Sequence, residues 1–167
     1  MKTILSLLLF AQVAVSCAQS KKENPITHAD KTANTFPLQT GPLNDFEGVF
    51  TDAQKKDLSE RLDNFKETTD KEIFVVSVET YFPKDDFQEF TVNLANDWKK
   101  NGANNTVFIV FSKENRKIAL SIYPGTTNLK DKDAQDVISE IVIPEFKKGN
   151  YYEAIKQGIT ALISKWK

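Results

Sequence analysis

Histidine and cysteine are almost missing from this chain. There is one of each in 167 residues, His28 in a polar stretch and Cys17 just behind the N-terminal apolar run. A lone cysteine forms no intramolecular disulfide, and neither residue has a partner for a thiolate or imidazole metal site. Arginine is scarce as well: Arg61 and Arg116 are the only two, little from which to build a bidentate clamp on a phosphoryl group. There is no P-loop, no GxSxG elbow, no HExxH and no internal repeat. The 22 basic and 23 acidic residues are interspersed, with no long basic run to follow a phosphate backbone, which argues against nucleic acid as a partner. The hydrophobic content of 40% and aromatic content of 11% suffice for one ordinary core.

At the N-terminus, Lys2, an apolar run from Ile4 to Val15 and small residues around Cys17 have the form of a secretory leader, too short to span a bilayer as a helix. Ala14-Val-Ser-Cys17 resembles a bacterial lipobox, which implies cleavage after residue 16 and a lipidated Cys17 anchoring the mature protein to a membrane. Ala14 stands where a large aliphatic is usual, and cleavage after Ala18 would instead release a soluble periplasmic protein. Residues 17–35 are polar, with hardly any large apolar side chain to offset the entropy of ordering, and read as a tether.

The globular part is expected over 36–166. Leu58, Leu62 and Phe65 share a helical face over 52–68, and Glu72 to Val78 is a β-rich strand. Phe87, Phe90, Leu94 and Trp98 stripe a second helix over 86–100, with Gly102 placed to end it. Val107 to Phe111 is an apolar run suited to a sheet buried on both faces, joined to the previous strand by a parallel right-handed crossover. Lys113 to Arg116 turns into an antiparallel strand over 117–123, nearer an edge. A third helix, 132–143, stops where Pro144 interrupts it, and a fourth, capped by Asn150, buries Ile155, Ile159, Leu162 and Trp166. The sum is an α/β fold, a small mixed β-sheet flanked by helices on both faces.

Pro37 to Thr51 condenses a turn-rich linker into an acidic loop. Gly41-Pro42 and Asn44-Asp45 are turn signals, and Thr51-Asp-Ala-Gln54 matches a capping box. Two readings fit Asp45 and Glu47: turn and cap residues, or oxygen ligands on a constrained loop for a hard cation such as calcium. Two further oxygen-rich segments, Asn104 with Asn105 and Asp131 with Asp133, lie beyond strand ends, where open α/β sheets place ligands, so the three could meet at one end of the sheet. Against this, Asp131 can cap the third helix, and Asn104 and Asn105 can simply connect helix to strand.

From Phe36 to Ile163 a series of landmarks resembles the TPM domain family: Pro37 to Thr51, Trp98-Lys-Lys-Asn-Gly102 and the apolar strand after it, Tyr123-Pro-Gly125, Pro144-Glu-Phe146, Gly149-Asn-Tyr151 and Gly158. The resemblance implies a three-layer α/β/α sandwich in a secreted or membrane-associated protein. It also implies divalent cation binding in some members, acid phosphatase activity in plant relatives and accessory roles beside membrane complexes in others. Asn104-Asn-Thr106 replaces the usual Asp-Asn-Gly, and Tyr123-Pro-Gly125 reduces a glycine-tyrosine-glycine turn. Bacterial relatives often carry a C-terminal membrane helix and a glycine-rich tail, absent here before Lys167. The expectation is an accessory or interaction protein of the cell envelope that binds a divalent cation, calcium favoured, through Asp45, Glu47, Asn104, Asn105, Asp131 and Asp133. The alternatives are a metal-dependent acid phosphatase and a metal-free protein-binding module.

Overall fold

The structure, a computed structural model, describes residues 36–79, 86–99 and 104–166. The leader, Cys17, the tether and the Gly102 helix stop lie outside the described residues. Four strands form one sheet in the order β1-β2-β3-β4: β1 Leu43–Asp45, β2 Glu72–Ser77, β3 Thr106–Ser112 and β4 Lys117–Ile122. The first three are parallel and β4 runs antiparallel to β3. The helices are α1 Asp52–Thr69, α2 Phe87–Trp98, α3 Asp131–Val137, α4 Ile143–Lys147 and α5 Tyr151–Lys165.

Strand periodicity divides the core in two. Ile73, Val75, Val107, Ile109 and Phe111 meet Leu58, Leu62 and Phe65 of α1, Ala134 and Val137 of α3, and Ile155, Ile159 and Leu162 of α5. Phe74, Val76, Phe108 and Val110 point the other way, onto Phe87, Phe90, Leu94 and Ala95 of α2. The expected sandwich is therefore formed, with α2 the one helix on its face among the described residues. The parallel pairing expected for β2 and β3 is found. Both parallel crossovers step in the same direction across the sheet, while α1 and α2 cover opposite faces, so the two have opposite hands.

Three local readings also change. The acidic loop begins as a strand: Leu43, Asn44 and Asp45 pair with Val75, Val76 and Ser77, and Val75 N–H donates to Pro42 O at 2.9 Å. Three residues with two polar side chains give no period-two pattern. Pro144 does not stop its helix. A π-turn over Ile138–Val142, with Ile143 N–H donating to Ile138 O, leads into α4 and places the proline in that helix's first turn, where its missing N–H costs nothing. The side chain of Asn150 does not cap α5; its Nδ2 donates to Glu145 Oε2 at 2.9 Å, while Gly149, at φ 82°, closes α4.

Candidate functional site

Asp45 and Glu47 stand at the C-terminal end of the parallel strands, each engaged by three donors. Asp45 Oδ1 accepts from Val49 N–H (2.9 Å) and Ser77 Oγ (2.6 Å), and Oδ2 accepts from Phe50 N–H (3.0 Å). This carboxylate folds the 45–50 loop back on itself and delivers the chain to the Thr51–Gln54 capping box, which forms as the sequence predicts. Glu47 Oε2 accepts from Lys113 N–H (2.8 Å), and Oε1 from Glu114 N–H and Ser112 Oγ (3.1 Å each). It ties the loop to the β3–β4 turn. Ser77 is fully buried and Ser112 is 1% exposed, so both hydroxyls are interior fasteners.

The other four oxygen-bearing residues do not join them. Asn104 and Asn105 precede β3 and so lie at the opposite end of the sheet, about 20 Å away for a strand of this length. There Asn105, at φ 54°, accepts from Thr127 N–H (3.0 Å) and Thr127 Oγ1 (3.1 Å), while its own carbonyl takes Glu72 N–H. Asn104 Oδ1 lies 2.8 Å from where a Cβ on Gly125 would sit, so the asparagines are joined to the turn after β4. Asp131 makes no capping bond and occupies the first turn of α3. Asp133 sits 3.8 Å from Lys165 of α5. The expected convergence of the three segments at one end of the sheet is therefore not found. Among the described residues no three His, Cys, Asp or Glu side chains gather as a metal shell. Asp45 and Glu47 alone offer far fewer oxygens than the six to eight that calcium takes.

A family model for the TPM domain matches residues 43–165. The chain belongs to the TPM domain family. Among solved structures, this TPM domain is similar to the N-terminal domain of a P. gingivalis protein, at 25% identity and TM-score 0.68, covering 75% of this chain and 82% of that one. It is also similar to the N-terminal domain of cg2496 from Corynebacterium glutamicum (17%, TM-score 0.60, covering 81% and 86%). A third likeness is to BA42 from the psychrophilic bacterium Bizionia argentinensis (19%, TM-score 0.63, covering 73% and 88%). These last two speak for the fold alone. No curated protein matches.

The TPM domain also holds two charged groupings that sequence reasoning missed. Glu72, at the start of β2, accepts from Lys66 of α1 (2.6 Å) and from Lys99 just beyond α2. Burial pushes the Glu72 carboxyl up, but the two ammonium groups outweigh it and hold the pKa below the ordinary carboxylate value. The second is a cleft of about 600 Å³ beside the β3–β4 turn. Phe146 and Tyr151 wall it, and Arg116, Lys117, Lys147 and Lys148 stand around it. Lys148 pairs with Glu145, whereas Arg116, Lys117 and Lys147 have no carboxylate partner among the described residues. Arg116 is held at φ 52°, a left-handed conformation that glycine or asparagine would adopt with less strain. The signal for this cleft was in the sequence as two scattered basic pairs, Arg116-Lys117 and Lys147-Lys148, but only the fold brings them together.

Proposed function

We propose that this TPM-domain protein is an accessory binding module of the cell envelope rather than a hydrolase. One observation carries the reading. The acids at the C-terminal end of the parallel strands are engaged as acceptors for main-chain and hydroxyl donors, and the charges beside them that lack a carboxylate partner among the described residues are cations lining a cleft with Phe146 and Tyr151. Hydrolysis requires an accessible nucleophile, or a water activated by a base or metal, and a reachable reacting centre. Ser77 beside Asp45 has the outline of such a pair, but it is fully buried. Calcium has no part in the proposal, because Asn104 and Asn105 lie at the opposite end of the sheet from Asp45 and Glu47. The envelope assignment is supported by the leader-like run Ile4–Val15 and by Cys17 behind it.

Two assays test it, one on purified protein and one in cells. Purified protein with millimolar calcium or magnesium should release no phosphate from a phosphomonoester beyond an Asp45→Asn control. In cells, Cys17→Ala should move the protein from the membrane to the soluble fraction. Turnover that disappears with Asp45→Asn overturns the binding-module reading, and membrane retention of Cys17→Ala overturns the anchor.

A further inference from the structure

β4 is an outer strand of the sheet, and its register settles which of its groups are unpaired. Tyr123 N–H donates to Thr106 O at 2.9 Å, so Lys117, Ala119 and Ser121 exchange bonds with β3. The N–H and C=O of Ile118, Leu120 and Ile122 then point away from the sheet. Among the described residues one group meets them: Gln88 Nε2 of α2 donates to Leu120 O at 3.1 Å. A side-chain amide thus stands where the N–H of a neighbouring strand would. Sheet edges are commonly blunted by a proline, a bulge or an overlying element. β4 runs through six residues in unbroken register with no proline.

Beside this edge runs a groove of about 420 Å³, with Gln88 and the exposed Val92 of α2 on one side and Asp131, Gln135 and Ile138 on the other. It contains no cation. At Ile118 it meets the cationic cleft, since both are lined by that residue. A ladder of main-chain groups, met among the described residues by Gln88 alone, therefore leads into Arg116, Lys117 and Lys147, which lack carboxylate partners among those residues. Arg116 is further held in the left-handed backbone region, at φ 52°, a strained placement of the kind met at residues used for contact.

We propose that β4 receives an extended segment of a partner protein as a fifth, antiparallel strand. The segment carries acidic side chains or its terminal carboxylate at its C-terminal end. Antiparallel pairing sets that end beside the start of β4, and so beside Arg116, Lys117 and Lys147. Main-chain bonds to Ile118, Leu120 and Ile122 supply affinity, and the cations fix direction. Gln88 swings off Leu120 O as the strand enters. A second copy of this chain is the weaker occupant, because its β4 is followed by Tyr123-Pro124-Gly125 and brings no acid to the cleft. The inference rests on the binding-module reading and names its partner.

Two heptapeptides of one composition, TVTVTDD and DDTVTVT, test it by amide NMR and hydrogen exchange on the full chain. TVTVTDD should give saturable shifts at Ile118, Leu120 and Ile122, slow the exchange of their amides, and bind at least about fivefold tighter than DDTVTVT. Arg116→Gly should weaken it about tenfold while melting no lower than wild type, since glycine relieves the left-handed backbone. Gln88→Ala should tighten it a few-fold. Equal affinity of the two peptides, shifts confined to Arg116, Lys117 and Lys147, no saturable shift with either, or self-association through β4 would each overturn the proposal. Phosphomonoester turnover that is lost with Asp45→Asn defeats the module reading itself, whereas a failed peptide titration without such turnover removes only this inference.

Discussion

The hydrogen bonding of Asp45 makes a strong demand on stability. Its carboxylate satisfies the N–H groups of Val49 and Phe50 and the hydroxyl of Ser77, and Phe50 is 5% exposed. Hydrogen bonds to a charged acceptor contribute about 1.5–3 kcal/mol each, and a donor left unsatisfied in the interior costs about 1–3 kcal/mol. Three bonds sharing one carboxylate do not add, so Asp45→Ala should cost about 3–4 kcal/mol. At roughly 3 °C per kcal/mol for a domain of this size, Tm should fall by about 10 °C. Asp45→Asn keeps one acceptor oxygen and should fall by about half as much. Thermal and urea melts measure both, run once with EDTA and once with millimolar calcium. The two conditions should agree within about 1 °C for the wild type, because the loop is closed by the protein's own donors. A loss below about 1 kcal/mol for Asp45→Ala, or one seen only in calcium, would refute the reasoning.

Two further substitutions read other parts of the fold. Glu72 has a depressed pKa in the folded state, so its pairing with Lys66 and Lys99 adds stability above the unfolded carboxyl value of about 4.3 and loses it as pH falls through the lower folded value. Glu72→Gln should therefore cost about 1–3 kcal/mol at pH 7 and progressively less below about pH 5. Denaturation series at pH 7 and pH 3 with equal differences would defeat this. Gly158 lies in α5 where an added Cβ would meet Val142 Cγ2 of the π-turn at 2.7 Å. Gly158→Ala should cost about 1–3 kcal/mol despite its helix propensity, and Val142→Ala in the same chain should recover part of it. Strict additivity in that double-mutant cycle would show that the contact is not the cause.

What could be read from the sequence was what repeats. The stripes of α1, α2 and α5, the two apolar strands and the β3–β4 turn carry period 3.6 or 2 over enough residues for the pattern to identify the element. The elements misread are those fixed by one contact. β1 depends on pairing with Val75 to Ser77, and the passage of a helix through Pro144 depends on a π-turn that Gly158 makes room for. The candidate site fared worse for the same reason. Counting oxygen-bearing residues beyond strand ends ignored direction: a segment before a parallel strand and one after it lie at opposite ends of the sheet. That alone separates Asn104 and Asn105 from Asp45 and Glu47.

The two ends of the sheet and its two edges are treated unequally, and the inequality indicates where a partner can act. At the start of β2 and β3, Glu72, Lys99 and Asn105 tie helices and turns together; at their far end Asp45 and Glu47 do the same. Both faces are covered by helices. On one edge, β1 is only three residues long, and its Asn44 side chain is already bonded to Thr40 and Gly41. On the other, β4 offers six residues in regular register, guarded by one glutamine amide and leading into three cations without carboxylate partners among the described residues. Substrate chemistry would need polar groups free at an end of the sheet, whereas strand addition needs them free along an edge. In this domain the carboxylates at both ends are engaged, and among the described residues the β4 edge meets one side-chain amide, which supports the proposed recognition along β4.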